Sequence, residues 1–142
     1  MKEEREMQRC AFPEASPEER RKYVVRPLEE VPLVELVKGS FSHLIWGKNV
    51  MVSFLTMKAG STFEIHSHPN EQVMIVLEGY CDEIIEGKVY RVEKGDVIII
   101  PPNVPHGAII GDVDCKVIDI FSPPREDYKK KLEEITTEEK DR

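Results

Sequence analysis

Two histidines one residue apart, His66 and His68, sit in the stretch GSTFEIHSHPNEQVMIVLEG that runs from Gly60 to Gly79. Side chains of an extended strand alternate between faces, so the two imidazoles point the same way. Counting on in twos across a Pro69-Asn70 turn reaches Gln72, Met74 and Val76, while Glu71 falls on the other face. A second stretch, GDVIIIPPNVPHGAII from Gly95 to Ile110, adds His106 after an apolar run and a proline-rich turn. Three imidazole nitrogens and an amide oxygen, from His66, His68, His106 and Gln72, then converge as ligands of one divalent transition metal, for which zinc, nickel, manganese, iron and cobalt are all candidates. Such a set is neutral, so a bound ion keeps its full charge and works as a Lewis acid on a carbonyl, carboxylate or hydroxyl oxygen. His43, alone among Leu44, Ile45 and Trp46, has no ligand partner and reads as a hydrogen-bonded structural histidine or a pocket wall. Glu64 shares the parity of His66 and is expected to face the pocket or to end its strand in solvent.

The elements that must position these groups are short strands. The segment YVVRPLEEVPLVELVKGSF offers two or three, broken at Pro27, Pro32 and Gly39. Phe41 to Trp46 and Val50 to Met57 pair around Gly47-Lys48-Asn49, Tyr80 to Ile85 and Lys88 to Val92 flank a Glu86-Gly87 turn, and Val97 to Ile100 is short and apolar enough to be buried. The total is roughly nine to eleven strands, as a small closed barrel requires. Near the end, Cys115, Val117, Asp119 and Phe121 share one strand face. Ser122 and Pro123 then open a helix in which Tyr128, Leu132 and Ile135 form an apolar stripe beside Glu126–Lys130 and Asp127–Lys131 pairs. The expected organisation is an arm over 1–22, partly helical from the signal Ser16-Pro17-Glu18-Glu19, a β-barrel over 23–122, and a helical tail over 123–142.

With 142 residues and 40% hydrophobic content, the chain has room for a single core. A formal charge of −7 without a long basic cluster excludes nucleic acid and anionic membrane surfaces as natural partners. No run is apolar enough to span a bilayer and the polar start has no secretory core, so a cytoplasmic protein is expected. Cys10, Cys81 and Cys115 lack metal-ligand spacing and read as free thiols. Apolar outward faces on Val50 to Met57 and on Ile118 to Ile120 predict a homodimer.

These two histidine stretches resemble the cupins, small all-β jelly-roll barrels with a metal inside. Gly60, His66, His68, Gln72 and Gly79 occupy the places of the first cupin motif, with Gln where Glu is usual. Gly95, Pro101, Asn103 and His106 follow the second, with Asn103 in a glycine position, where Asn tolerates positive φ, and Ile110 in place of an asparagine. The resemblance implies a single-domain cupin barrel with a C-terminal helix.

Asp119 on an inward strand face costs several kcal/mol if unpaired, roughly by the usual penalty for a buried carboxylate; Arg125 or a metal ligand is the expected partner. The run DIFSPPREDY, following the Gln-substituted motif, is similar to cupins of pectin and alginate breakdown that linearise 4,5-unsaturated monouronates. That resemblance implies catalytic or substrate-handling roles for Asp119, Phe121 and Arg125. Asp119 would move a proton, Arg125 would hold a sugar-acid carboxylate, and Phe121 would wall the sugar face. Two other readings stand beside it. One is a metal-dependent cyclase or oxygenase acting on another small substrate, and the other is a non-catalytic module that binds a small ligand.

Overall fold

A computed structural model describes residues 11–140, with side chains through residue 136; Cys10 and the first part of the arm lie outside the described residues. Ten strands follow one another as β1 (Val34–Val37), β2 (Ser40–Trp46), β3 (Met51–Met57), β4 (Thr62–His66), β5 (Glu71–Glu78), β6 (Tyr80–Ile85), β7 (Lys88–Glu93), β8 (Val97–Ile100), β9 (His106–Ile110) and β10 (Cys115–Ser122). They form a six-stranded antiparallel sheet in the order β1-β2-β3-β10-β5-β8 and a four-stranded sheet in the order β4-β9-β6-β7. This is a two-sheet antiparallel jelly roll, the fold that the resemblance implied.

Alternation builds the barrel. Met51, Ser53, Leu55 and Met57 of β3, Gln72, Met74 and Val76 of β5, and Cys115, Val117, Asp119 and Phe121 of β10 are buried, with less buried residues between them. The apolar members join Val34, Leu36, Leu44, Cys81, Val92, Ala108, Ile110 and Tyr128 in one core. Polar residues within this inward set are therefore conspicuous: Gln72, Glu83, His106 and Asp119 are all buried. The turns follow their chemistry. Glu86 and Gly87 both have positive φ, as a two-residue hairpin turn demands, and Asn103 takes φ 65° in its glycine-like place.

The helix signal at Ser16 is met, but from Tyr23 to Glu30 the chain departs from the strand reading. Pro17–Tyr23 is a helix, α1, closed by a reciprocal capping box between Ser16 and Glu19. Pro27–Glu30 is a one-turn helix, α2, with Pro27 in its first turn. Tyr23, Val24 and Val25 are exposed rather than paired in a sheet. Local helix chemistry, a proline followed by Leu-Glu-Glu, outweighs the β-branched pair here. His43 is structural: its Nδ1 is 2.9 Å from the Val31 carbonyl, tying the segment after α2 to β2.

The last helix, α3 (Glu126–Lys140), buries Tyr128 and packs Leu132 and Ile135 against the core. Its cap is not the expected one, because Ser122 Oγ donates to the Asn49 carbonyl instead. The ion pairs also differ, with Lys129 meeting Glu126 and Asp127 taken by Arg125. The outward side chains Val52, Phe54, Ile118 and Ile120, on the faces assigned to a partner subunit, are already half-buried within the chain. Among the described residues no helix is long and apolar enough to cross a membrane.

Candidate metal centre

His66 ends β4, His106 begins β9, and the two are paired in register. His68 lies in the loop that leads to β5, where Gln72 is the second residue. A bulge between Phe63 and His66 breaks the alternation of β4. Phe63 and His66, rather than Glu64 and His66, therefore face inward, and Glu64 is exposed. Gly107 makes room for this bulge: a Cβ there would lie 2.6 Å from the Phe63 carbonyl oxygen and 3.0 Å from the Ile65 nitrogen. Two further bonds hold the His68 loop. The Asn103 amide donates to the His68 carbonyl at 2.8 Å, and Asn70 Nδ2 donates to the Pro123 carbonyl at 2.6 Å. The second motif and the run into α3 thus fix the first.

The three histidines place ligand atoms within 4.8 Å of one another. Each directs Nδ1 at a backbone carbonyl: His66 at Glu64 (2.9 Å), His68 at Asn70 (3.0 Å) and His106 at Val104 (2.8 Å). In a neutral ring that places the hydrogen on Nδ1 and leaves Nε2 as a lone pair. Burial keeps the rings neutral, lowering all three from the usual histidine value, and His106 to about 4. Gln72 Oε1 stands 3.1 Å from Nε2 of both His68 and His106. Two lone pairs therefore face a third acceptor, an arrangement that suits a cation between them. The residues fit a divalent metal by the chemistry of the donor set.

The orientation of Gln72 has a cause. Its Nε2 donates to Asp119 Oδ1 at 2.9 Å, which turns the amide oxygen toward the histidines. Gln72 pairs with Phe121 across β5 and β10, and Asp119 is two residues earlier on the same face. Burial lifts the Asp119 carboxyl to about 7, against the hydrogen bond from Gln72 and the nearby charge of Arg125. Of the two partners expected for Asp119, Arg125 or one of the candidate ligands, it is the second, the Gln72 amide, that makes the hydrogen bond. Arg125 is instead held by Asp127, with Nε donating at 3.1 Å and Nη2 at 2.7 Å, and its guanidinium lies 3.6 Å over the Tyr128 ring. That fork occupies one edge of the guanidinium and leaves Nη1 for another acceptor.

Phe121 is only 1% exposed, and its ring meets His68 and Tyr128 edge-on at 5.6 Å. It buttresses these groups and lines the inner cavity. Phe63 was not singled out from the sequence, yet it stands 5.2 Å from the His66 ring and borders both spaces around the site. Those spaces are an inner cavity of about 30 Å³ lined by Gln72, Glu83, His106 and Asp119 among others, and an outer groove of about 960 Å³. The groove carries Lys38, Lys58 and Lys131, and Arg125 and His66 lie where it meets the inner cavity. Glu83, the other missed residue, follows Cys81 by two on β6, a parity signal that its charge obscured.

Known proteins share the sequence pattern and the fold. A family model described as a cupin domain matches residues 53–121. A pectin degradation protein, KdgF, of Dickeya dadantii is 28% identical over 102 residues, covering 70% of this chain and 93% of its own length. Among solved structures, KdgF from a Halomonas species superposes with a TM-score of 0.64 at 26% identity, over 68% of this chain and 90% of that one. An RmlC-like cupin from Shewanella frigidimarina gives 0.69 at 25% identity, over 75% and 95%. The chain carries a cupin domain and resembles the cupins of pectin degradation.

Proposed function

We propose that the protein is a metal-dependent sugar-acid isomerase that opens 4,5-unsaturated uronates of the galacturonate type to their linear keto form. The observation that carries this reading is the Gln72 amide, which faces the neutral imidazoles of His68 and His106 with its oxygen and the buried Asp119 with its nitrogen. The likeness to pectin-degradation proteins supports the substrate class.

His66, His68, His106 and Gln72 would hold the ion, which when bound supplies Lewis-acid polarisation of a substrate oxygen. The protein's own groups account for the rest. Asp119 Oδ1 is engaged by Gln72, so Oδ2 is the atom that receives the proton of the anomeric hydroxyl. Its raised pKa suits a group that must take up a proton near neutral pH and release it again. Arg125 offers its Nη1 edge to the substrate carboxylate, while Asp127 and Tyr128 keep the guanidinium from turning. The inner cavity is too small for a whole sugar, so the ring lies in the outer groove with its anomeric end turned past Phe63 and His66 toward the inner cavity, where Asp119 stands. Lys38 and Lys131 of that groove, beside Arg125, favour an anion, with Lys58 paired to Asp114 and with Glu64 and Asp127 as the acids on its wall.

The test is turnover of 4,5-unsaturated galacturonate by metal-loaded protein, followed by loss of the ultraviolet absorbance of the conjugated acid. Asp119→Asn keeps shape and metal but cannot take the proton, and kcat should fall about 10²-fold or more. Arg125→Lys keeps the charge but loses the planar fork, and should chiefly raise KM, by the equivalent of about 1.5–3 kcal/mol. Metal-loaded protein that does not accelerate the reaction overturns the proposal. So does Asp119→Asn with wild-type turnover.

A further inference from the structure

The outer groove and the inner cavity meet at a neck, because Phe63, His66, Arg125 and Tyr128 line both spaces. Three of these are already engaged. His66 belongs to the donor set, Arg125 is forked onto Asp127, and the guanidinium covers the Tyr128 ring at 3.6 Å. Phe63 has no task of this kind. Among the described residues, cations lie over the rings of Trp46, Tyr80, Phe121 and Tyr128 and none over that of Phe63. Its surroundings hold it without covering it. Phe63 and His66 are the half-buried residues of β4, whose Thr62, Glu64 and Ile65 are exposed. The Phe63 side chain packs against the barrel core, and its ring stands 5.2 Å from that of His66 at a tilt of 35°. Pairing with Ala108 and the bulge over Gly107 set its backbone. An aromatic side chain fixed in this way has little freedom left to lose when a ligand settles on it, and the apolar surface it leaves to water is recovered when an apolar face covers it.

A sugar ring offers two kinds of surface. Its hydroxyls lie round the rim, and its C–H bonds make an apolar face whose weakly positive hydrogens suit the negative face of an aromatic ring. In a 4,5-unsaturated uronate C4 and C5 are trigonal, so that end of the ring is flat and its carboxylate lies in the plane of the double bond. We propose that Phe63 is the platform against which the closed sugar ring lies, a specificity-determining residue for the reaction proposed above, on which this inference rests. Arg125 fixes the carboxylate, the phenyl ring fixes the tilt of the sugar, and the anomeric end is thereby directed past His66 into the inner cavity. A linear sugar acid with the same carboxylate can meet Arg125 but has no rigid face to lay on Phe63. The pair therefore selects closed rings over open chains, and the opened product loses the phenyl contact while keeping the ionic one.

The experiment measures the kinetics of metal-loaded wild type, Phe63→Leu and Phe63→Tyr on 4,5-unsaturated galacturonate, with a metal titration of each protein and with the linear keto product added as inhibitor. Phe63→Leu still fills the core side but has no aromatic face. Its KM should rise about 5- to 10-fold while kcat falls less than about 2-fold. Its metal equivalent should match that of wild type, and the linear product should inhibit both proteins equally. Phe63→Tyr keeps the aromatic face and should hold KM within about 2-fold of wild type. A Phe63 that merely buttresses His66 would instead change metal uptake and kcat together, and that result overturns the assignment. So does a wild-type KM in folded Phe63→Leu, a rise in KM matched by an equal loss of product inhibition, or a Phe63→Tyr as impaired as Phe63→Leu. An inert wild type removes the uronate reading and this inference with it, whereas an active wild type with any of the preceding results removes this inference alone.

Discussion

Gln72 joins two chemistries because a planar amide presents an acceptor on one side and a donor on the other. With Nε2 committed to Asp119, its oxygen must face His68 and His106, and a carboxylate in its place would set a second negative charge beside Asp119. Strand parity made this residue and the three histidines legible in the sequence, since all the information lay within a few positions of each. The same rule would have reached Glu83 from Cys81, but a charged residue is by default assigned to solvent. Glu83 also leaves a mark on stability. Its ordinary value of 4.5 rises to about 8 in the fold, so in that window the unfolded chain sheds a proton that the folded chain keeps. Stability contributed by this site therefore falls as pH rises, by at most about 1.4 kcal/mol per pH unit, and levels off above about pH 8. Chemical denaturation should show Glu83→Gln gaining on wild type as pH rises from about 5 to 8; a constant difference between the two across that range would contradict the protonated, buried acid.

Among the elements, the bulge in β4 has the largest consequence. It turns Phe63 rather than Glu64 inward and delivers His66 to the register of His106. It is possible only because Gly107 presents no side chain beneath it. Gly107→Ala should lower stability by about 1–3 kcal/mol, as overpacking against backbone does, and should weaken metal binding through displacement of His66. Thermal melting and metal titration check both, and an alanine variant that melts and binds as wild type does would show that the bulge is not held by this contact. Bulges, like the Asn70 clasp onto Pro123 and the grip of Asp127 on Arg125, arise from contacts between segments far apart or from irregular backbone. Periodicity within one segment cannot reveal them. The helix at Pro17 was legible from its capping signal, whereas the turn at Pro27 was read as strand for the opposite reason: local proline chemistry decided what the apolar pattern of Tyr23 to Val25 suggested otherwise.

For the molecule as a whole, ten strands bring four donor residues from β4, β5, β9 and one loop to a single point inside the barrel. They also bring Asp119 of β10 to the shoulder of that point. The groove outside collects lysines on a chain whose net charge is −7, and Arg125 stands where groove and interior meet. Everything argued about proton transfer depends on the lone pairs of the three histidines having a cation to face. The most direct measurement is metal stoichiometry with ligand identity: protein stripped of metal, titrated with a divalent first-row ion, and read by X-ray absorption at the metal edge. Our account predicts one ion per chain, coordinated by three imidazoles and by oxygen, with one imidazole lost in His106→Ala. Protein that takes up no metal, or one whose coordination is unchanged by His106→Ala, would contradict it.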